Sequence, residues 1–446
     1  MKKNFNTNLV VAICSVFVIL LTGSLWAEPK FYPDDPIAVA PDSQDASKVE
    51  PWEIDLFYDV LENTFTKPGD KTPDVKAQSI NTIDEVPDSS WYTNRKNLTA
   101  DMVGKGQNES DGPAPGTWRV VASKSDGISP GFTIEDSNNV RWFIKFDPPG
   151  NPTMSTGTEV AVSKLFWALG FNVPEYHISK LVPDQLEIAE GTSIKLPSGK
   201  KRAMKQGDIK SLLRLAEKDP DGSYRIIASK ALEGKVLGGF RHYGTRPDDP
   251  NDIIPHEHRR ELRGYRVFSA WLNHVDSKSI QSMDVLLKQN GKGFVRHYLL
   301  DFSSALGSGS IYPREPWEGY EYLFEGGGTI GKRVVCGGFC IAPWRTVKLY
   351  ESDTVGKLTF DNTTWDPEEW YSRIPSASFQ RARLDDKFWA ARKVMGISDD
   401  MIRAAIKSGQ FGDADGEDFL ITALIQRRNT IGRTYLTAVN PVVEPV

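Results

Sequence analysis

Asp276, Lys278, Gln281 and Asp284 lie within a few residues of one another, and Asp301 follows after a pattern that reads as a β-hairpin. Val285-Leu286-Leu287 is a short apolar strand, Asn290-Gly291 is a strong two-residue turn signal, and Phe294 to Leu300 is the returning strand. A hairpin brings its two ends together, so the loop before it must lie beside Asp301. Carboxylates gathered at the end of a small sheet, with an amide and an amine between them, suit a divalent metal carrying phosphate oxygens.

A second charged pair lies upstream. Lys145 ends the apolar strand Trp142-Phe143-Ile144-Lys145, where an ammonium is costly unless it finds an anion. Glu159, near the start of the next helix, is the candidate anion; its other reading is a first-turn acid stabilised by the helix dipole. Three strands, TWRVVAS, GFTIED and VRWFIKF, precede this helix as an antiparallel meander.

The order of these residues carries a resemblance. His274-Val275-Asp276-Ser277-Lys278 followed by Gln281 has the sequence order of the protein-kinase catalytic loop H-R-D-L-x-x-x-N, and Asp301-Phe302-Ser303 stands where D-F-G follows. Over about Trp118 to Gly307 the chain resembles the protein-kinase-like superfamily, in particular its HipA-like and CotH-like branches. The resemblance implies an α+β, bilobal fold with a β-rich N-lobe and a mainly helical C-lobe, using ATP with Mg2+ or Mn2+. It implies that Lys145 holds nucleotide phosphates, Glu159 positions Lys145, and Gly127 and Gly131 cover the phosphates with backbone amides. It further implies Asp276 as base or orienter of an acceptor hydroxyl, Lys278 beside the transferred phosphoryl group, and Asp301 as main metal ligand. Three features depart from the pattern. Gln281 replaces the asparagine that holds a second metal, and its extra methylene displaces the amide oxygen, so Asp284 is the candidate replacement. The glycine turn fits G-x-G-x-x-G poorly, and no clear A-P-E motif follows Gly307.

The elements that must position these residues are readable in part. A helix over His256 to Leu272 delivers the loop, and helices over Ala382–Met395, Asp399–Ser408 and Asp418–Tyr435 complete the C-lobe. Pro51 to Phe65 has a helix-like apolar face, Trp91 and Tyr92 read as packing anchors, and YRIIASKALEG is strand-like and suits a hinge. Thr156 or Thr158 is the expected cap of the Glu159 helix. The division expected is 1–27 signal peptide, 28–115 extension and linker, 116–182 N-lobe, 183–222 a polar inserted surface, and 223–440 C-lobe. Between Gly307 and Pro375 an irregular, aromatic-rich cover is expected. His256 and His258, two residues apart, point to different helix faces and make a poor metal pair. Arg246, Asp248 and Asp249 either brace the cleft or form a turn network.

Lys2 and Lys3 precede the uncharged apolar run Leu9 to Leu21, and Leu25-Trp26-Ala27 ends in a small residue, which together read as a signal for export to a periplasmic or secreted location. Left uncleaved, the run would be a membrane anchor. A net charge of −5 with dispersed basic residues gives no support for nucleic-acid binding. Cys336 and Cys340 form an isolated pair that either bridges or stays as thiols. Asn97-Leu98-Thr99 and Asn108-Glu109-Ser110 fit the glycosylation pattern. Three functions remain open at this point: an exported phosphotransferase acting on a protein, sugar or lipid; a catalytically silent kinase-like binding or scaffold protein; and a secreted carbohydrate-active enzyme.

Overall fold

The computed structural model describes residues 42–123, 129–195, 200–324, 335–337 and 341–439. The expected signal segment, Gly127 and Cys340 lie outside them. Cys336 is disulfide-bonded.

A six-stranded sheet forms the first half. Its strands are β1 (Trp118–Ser123), β2 (Gly131–Glu135), β3 (Arg141–Phe146), β4 (Tyr176–Leu181), β5 (Leu186–Ile188) and β8 (Tyr224–Lys230), in the order β4-β8-β3-β2-β1-β5. All pairings are antiparallel except β1 with β5. Period-two alternation does the sorting: along β3, Trp142, Ile144 and Phe146 are buried, while Arg141 and Phe143 are exposed and Lys145 shares their face. Helix α1 (Leu56–Phe65) and helix α2 (Ala100–Lys105) precede the sheet, and helix α3 (Met154–Ala168) packs beside it with all but one residue buried.

Residues 183–222 differ from a solvated insertion. Their polar majority is exposed around the hairpin β6 (Ser193–Lys195) and β7 (Lys201–Ala203), followed by helix α4 (Gln206–Leu213). Their few apolar residues, however, are used: Leu186, Met204, Ile209 and Leu213 join the core formed by Trp118, Phe132 and Trp142. The amphipathic piece around Ile209 to Leu215 that the sequence offers is thus a face that the sheet needed to cover itself, with Ile209 and Leu213 buried.

The second half is helical around helix α5 (Arg260–Leu272), with a three-stranded sheet of β9 (Lys235–Gly238), β10 (Ser282–Gln289) and β11 (Lys292–Leu299) in the order β11-β10-β9. The Asn290-Gly291 turn has both residues at positive φ, 52° and 79°, as a tight two-residue hairpin requires. In the aromatic-rich stretch a short hairpin, β12 (Leu349–Ser352) with β13 (Gly356–Thr359), replaces part of the expected irregular cover, while Trp365 and Trp370 pack into the core. Helices α6 (Ala377–Gln380), α7 (Leu384–Met395), α8 (Asp399–Ser408) and α9 (Ala414–Val439) close the fold. Among the described residues no helix is long and apolar enough to cross a membrane.

The leading segment is not loose. Ala46 and Val49 are buried against Leu237, Leu286 and Val295, and Ala46 N–H and Trp52 N–H donate to the carbonyls of Gly293 and Leu237 at 2.9 Å each.

Candidate active site

Lys145 sits near the inner end of β3, and β3 pairs with β2 so that Lys145 faces Gly131 across the ladder. Its neighbour two residues on, Asp147, holds α3 in place. The Asp147 carboxylate accepts from the N–H groups of Ser155 and Thr156 at 2.9 Å each and from Thr156 Oγ1 at 2.7 Å. The cap is thus Asp147 rather than Thr156 or Thr158, because Thr153 at the N-cap position has a left-handed φ of 66° and makes no side-chain cap bond. So clamped, α3 brings Glu159 under β3.

Lys145 Nζ donates to Glu159 Oε1 at 2.9 Å and Oε2 at 3.1 Å, and to Asp301 Oδ1 at 2.8 Å. Burial opposes the ammonium charge, but Asp301 and Glu159 outweigh it and hold Lys145 above the ordinary lysine range. Glu159 is 1 % exposed and cannot move away, whereas the Asp301 side chain is 38 % exposed and opens to the cleft. Asp301 has a left-handed φ of 61°, a conformation that bends the chain just after β11. It is fixed there from two sides: its N–H donates to Tyr176 Oη at 3.3 Å, and Oδ1 accepts from Ser303 Oγ at 3.0 Å.

The loop after α5 runs alongside. Val275 N–H donates to Ser304 O at 3.2 Å, joining the two segments. His274 is buried among Phe166, Tyr265 and Phe302, and burial pushes its imidazole down to about 4, so at neutral pH it is an uncharged packing ring. Asp276 pairs with Lys278 Nζ at 2.8 Å and accepts from Gln281 Nε2 at 2.6 Å, with Arg373 at 4.0 Å.

Gln281 is committed to the loop itself. Its Oε1 accepts from Lys278 N–H at 3.0 Å while its Nε2 holds Asp276, so the amide oxygen that was to reach a second metal is already bonded. The structure also corrects the position of Asp284. Successive side chains of a strand point to opposite faces. Met283 therefore lines the cleft, and Asp284 is fully buried on the other side, held by His297 Nδ1 at 2.6 Å and Arg246 Nη1 at 3.2 Å. Arg246 in turn pairs with Asp248 at 3.1 Å, which makes this group a turn network behind the sheet. His256 and His258 are likewise separate: one contacts Asp252 at 2.7 Å, the other Asp70 at 3.0 Å.

A cavity of about 500 Å³ lies between the two sheets with Lys145, Glu159 and Asp301 at one end. Phe132, Ile144, Leu232, Val236, Met283 and Leu300 give it an apolar wall. Leu232 belongs to the turn joining β8 to β9, the stretch expected to serve as a hinge. The space thus combines an apolar wall with a lysine and two carboxylates. Among the described residues no three His, Cys, Asp or Glu side chains converge as a ready metal cage. A magnesium ion arriving with phosphates needs only one or two protein carboxylates, a role that Asp301 fits and that Asp284 does not.

Three contributors escaped the sequence reading. Tyr176 and Ser303 fix Asp301, and Ser303 was within reach, being two residues away. Glu318, fully buried, pairs with Arg373 beside Asp276. Nothing in the local pattern could reveal this pair, since its partners are far apart in the chain.

No protein-family profile matches the chain, and no curated protein is similar to it in sequence. Among solved structures it is similar to the Helicobacter pylori proinflammatory kinase CtkA, at 13% identity, covering 72% of this chain and 95% of that one with a TM-score of 0.37. It is also similar to the Golgi casein kinase, at 10% identity over 78% of this chain and 82% of that one, TM-score 0.30. The same kinase with Mn/ADP bound gives 11% identity, 78% and 81% coverage, and a TM-score of 0.30.

Proposed function

We propose that this chain is an exported kinase-like phosphotransferase that uses a nucleoside triphosphate with Mg2+ or Mn2+. The observation that carries the reading is the Lys145–Glu159–Asp301 cluster in the wall of an apolar cavity of about 500 Å³. A cation held by one buried and one exposed carboxylate is a preorganised phosphate site. Asp301 would hold the metal, which supplies charge neutralisation on the phosphates. Asp276 would orient the acceptor hydroxyl, and Gln281 keeps Asp276 aimed rather than binding metal. Lys278 stands next to Asp276, where it would meet negative charge on the transferred group. Export rests on the segment Lys2 to Ala27.

One observation favours a second reading, nucleotide binding without transfer. With Gln281 bonded internally and Asp284 behind the sheet, Asp301 is the one predicted carboxylate ligand left at the cleft.

Thermal shift with ATP and Mn2+ tests the site. Ligand at a hundredfold excess over Kd should add about 2.7 kcal/mol to the parent, and Lys145→Met and Asp301→Ala should lose this gain. Asp301→Asn removes the anion that competes with phosphate for Lys145, so metal-free ATP should bind it several-fold more tightly than the parent. No stabilisation of the folded parent by either metal would refute both readings. Transfer of labelled γ-phosphate separates them: Asp276→Asn should keep binding and lower transfer by about 10²–10⁴. A parent that binds but never transfers leaves the silent form.

A further inference from the structure

A second cavity, of about 490 Å³, shares a wall with the one that holds Lys145, and its lining is cationic. The two have no lining residue in common: Pro174 lines the first and its neighbour Val173 the second. The wall is fixed from the second side, where Gln107 Nε2 donates to Pro174 O at 2.6 Å and Asn108 Nδ2 donates to Tyr176 O at 2.7 Å. This space is therefore built into the fold. Three elements bring cations to it. Arg95 follows Trp91 and Tyr92, Lys105 ends α2, and Arg296 shares one face of β11 with Tyr298, two residues on.

Arg95 lies over the Trp167 indole at 4.7 Å and donates to Trp167 O at 2.7 Å, so its guanidinium is held in place, but neither contact is an anion. Burial pulls it down to about 10, because Tyr92 and Asp88 oppose the loss of solvent only in part. Arg296 meets the Phe294 ring at 5.4 Å. None of the three cations makes an ion pair among the described residues. The described lining holds one acid, Glu109, which is exposed and acts on Lys230 as well. Three cations against one acid leave the cavity positive, and a half-buried cation without an anion is costly. A ligand that supplies the anion removes that cost. Guanidiniums present several N–H donors in a rigid fork, and an ammonium adds a mobile one. Donors brought by three separate elements can surround an anion, which suits the tetrahedral oxygens of a phosphate better than the flat edge of one carboxylate. The volume is that of a small-molecule site. We propose that this cavity is a second binding site, for a small phosphate-bearing anion held by Arg95, Arg296 and Lys105. It stands whether or not the chain transfers phosphate.

Calorimetric titration of the full chain carrying Lys145→Met, in which the other cavity has lost its ammonium, with metal-free inorganic diphosphate tests the site. Binding is expected, and it should weaken about tenfold between ~0.05 M and ~0.5 M salt. Arg95 also packs on Trp167, so the decision rests on Arg296→Gln and Lys105→Gln, whose side chains make no hydrogen bond among the described residues. The first should weaken binding about tenfold and the second several-fold, both with unchanged melting temperature. Glu109→Gln, which removes the opposing acid, should tighten it several-fold. Competition by glycerol 3-phosphate would identify a soluble ester as the occupant, and competition by phosphatidic acid vesicles without it a lipid headgroup. No binding at low salt would overturn the proposal. So would affinity unchanged in both glutamine variants, which reports scattered surface charge, or citrate displacing diphosphate at equal concentration, which reports any polyanion.

Discussion

Single residues in this chain are placed by whether their charge has a partner. Lys145 is half-buried and stays charged because two carboxylates face it. Lys164, on the same helix as Glu159, is 2% exposed, and its ammonium donates to Lys105 O at 2.7 Å, the last carbonyl of α2. Burial pushes it down to about 7, with Glu175 the smaller opposing influence. An unfolded lysine titrates near 10.4. Between about 7 and that value the unfolded chain carries a proton that the folded chain lacks, so the Lys164 contribution to stability rises with pH through this window and is lost as pH falls towards 7. Lys164→Met should therefore gain most over the parent near pH 7 and least near pH 10, the difference changing by at most ~1.4 kcal/mol per pH unit. Urea melts at pH 7, 8.5 and 10 check this; a constant difference would mean that Lys164 titrates normally.

Elements are held by close backbone approaches as much as by side chains. Gly238 ends β9 at a φ of 97°, and a Cβ there would overlap the carbonyl oxygen of Trp52 in the leading segment. Gly291 in the hairpin turn has a similar φ of 79° but open space around it. Both substitutions to alanine meet the same intrinsic conformational penalty, about 1 kcal/mol. Gly238→Ala should cost clearly more, ~3 kcal/mol or above, because backbone must move as well. Denaturant midpoints for the two variants give the comparison, and equal losses would show that the Trp52 contact yields freely. The hairpin itself was legible, since Asn290-Gly291 between apolar runs has few alternatives. So were the helices α7 and α8, whose apolar spacing is clean. In 183–222 an amphipathic piece around Ile209 to Leu215 was readable, but that Leu186 and Met204 join it in covering the sheet was not, because their shared face exists only once the sheet edge is known.

The whole molecule is tied together by a buried group that bears on no ligand. Trp91, from the leading segment, stacks on His297 of β11 with ring centroids 3.5 Å apart, while the Arg259 guanidinium lies over the indole at 4.3 Å. His297 continues to Asp284 and Arg246. Leading segment, hairpin and the entrance to α5 therefore share one anchor. Trp91→Ala should cost ~3–5 kcal/mol and speed hydrogen exchange in β10 and β11 together with residues 42–55. Acceleration confined to 42–55 would show that the hairpin does not depend on the anchor. Trp91 was readable as a packing residue; its partners His297 and Arg259 were not.

Local chemistry is written in sequence order. A lysine in an apolar strand, a glutamate on the next helix, an H-x-D loop and an aspartate after a hairpin are each fixed by spacing of a few residues, and periodicity decides which element carries them. Tertiary structure alone decided which carboxylates meet. Asp276 and Asp284 carry the same side chain and are close in sequence. Strand pleat sends Asp284 behind the sheet, while a loop amide holds Asp276 beside Lys278. Gln281 looked like a metal ligand with the wrong length, and only the folded loop shows that its amide is spent on positioning Asp276. The face of α1 makes the same point. Its apolar stripe could be read from the sequence, but that Phe57 and Phe65 point outward was set by Asp59, whose partner Ser279 is distant along the chain and near only in the fold.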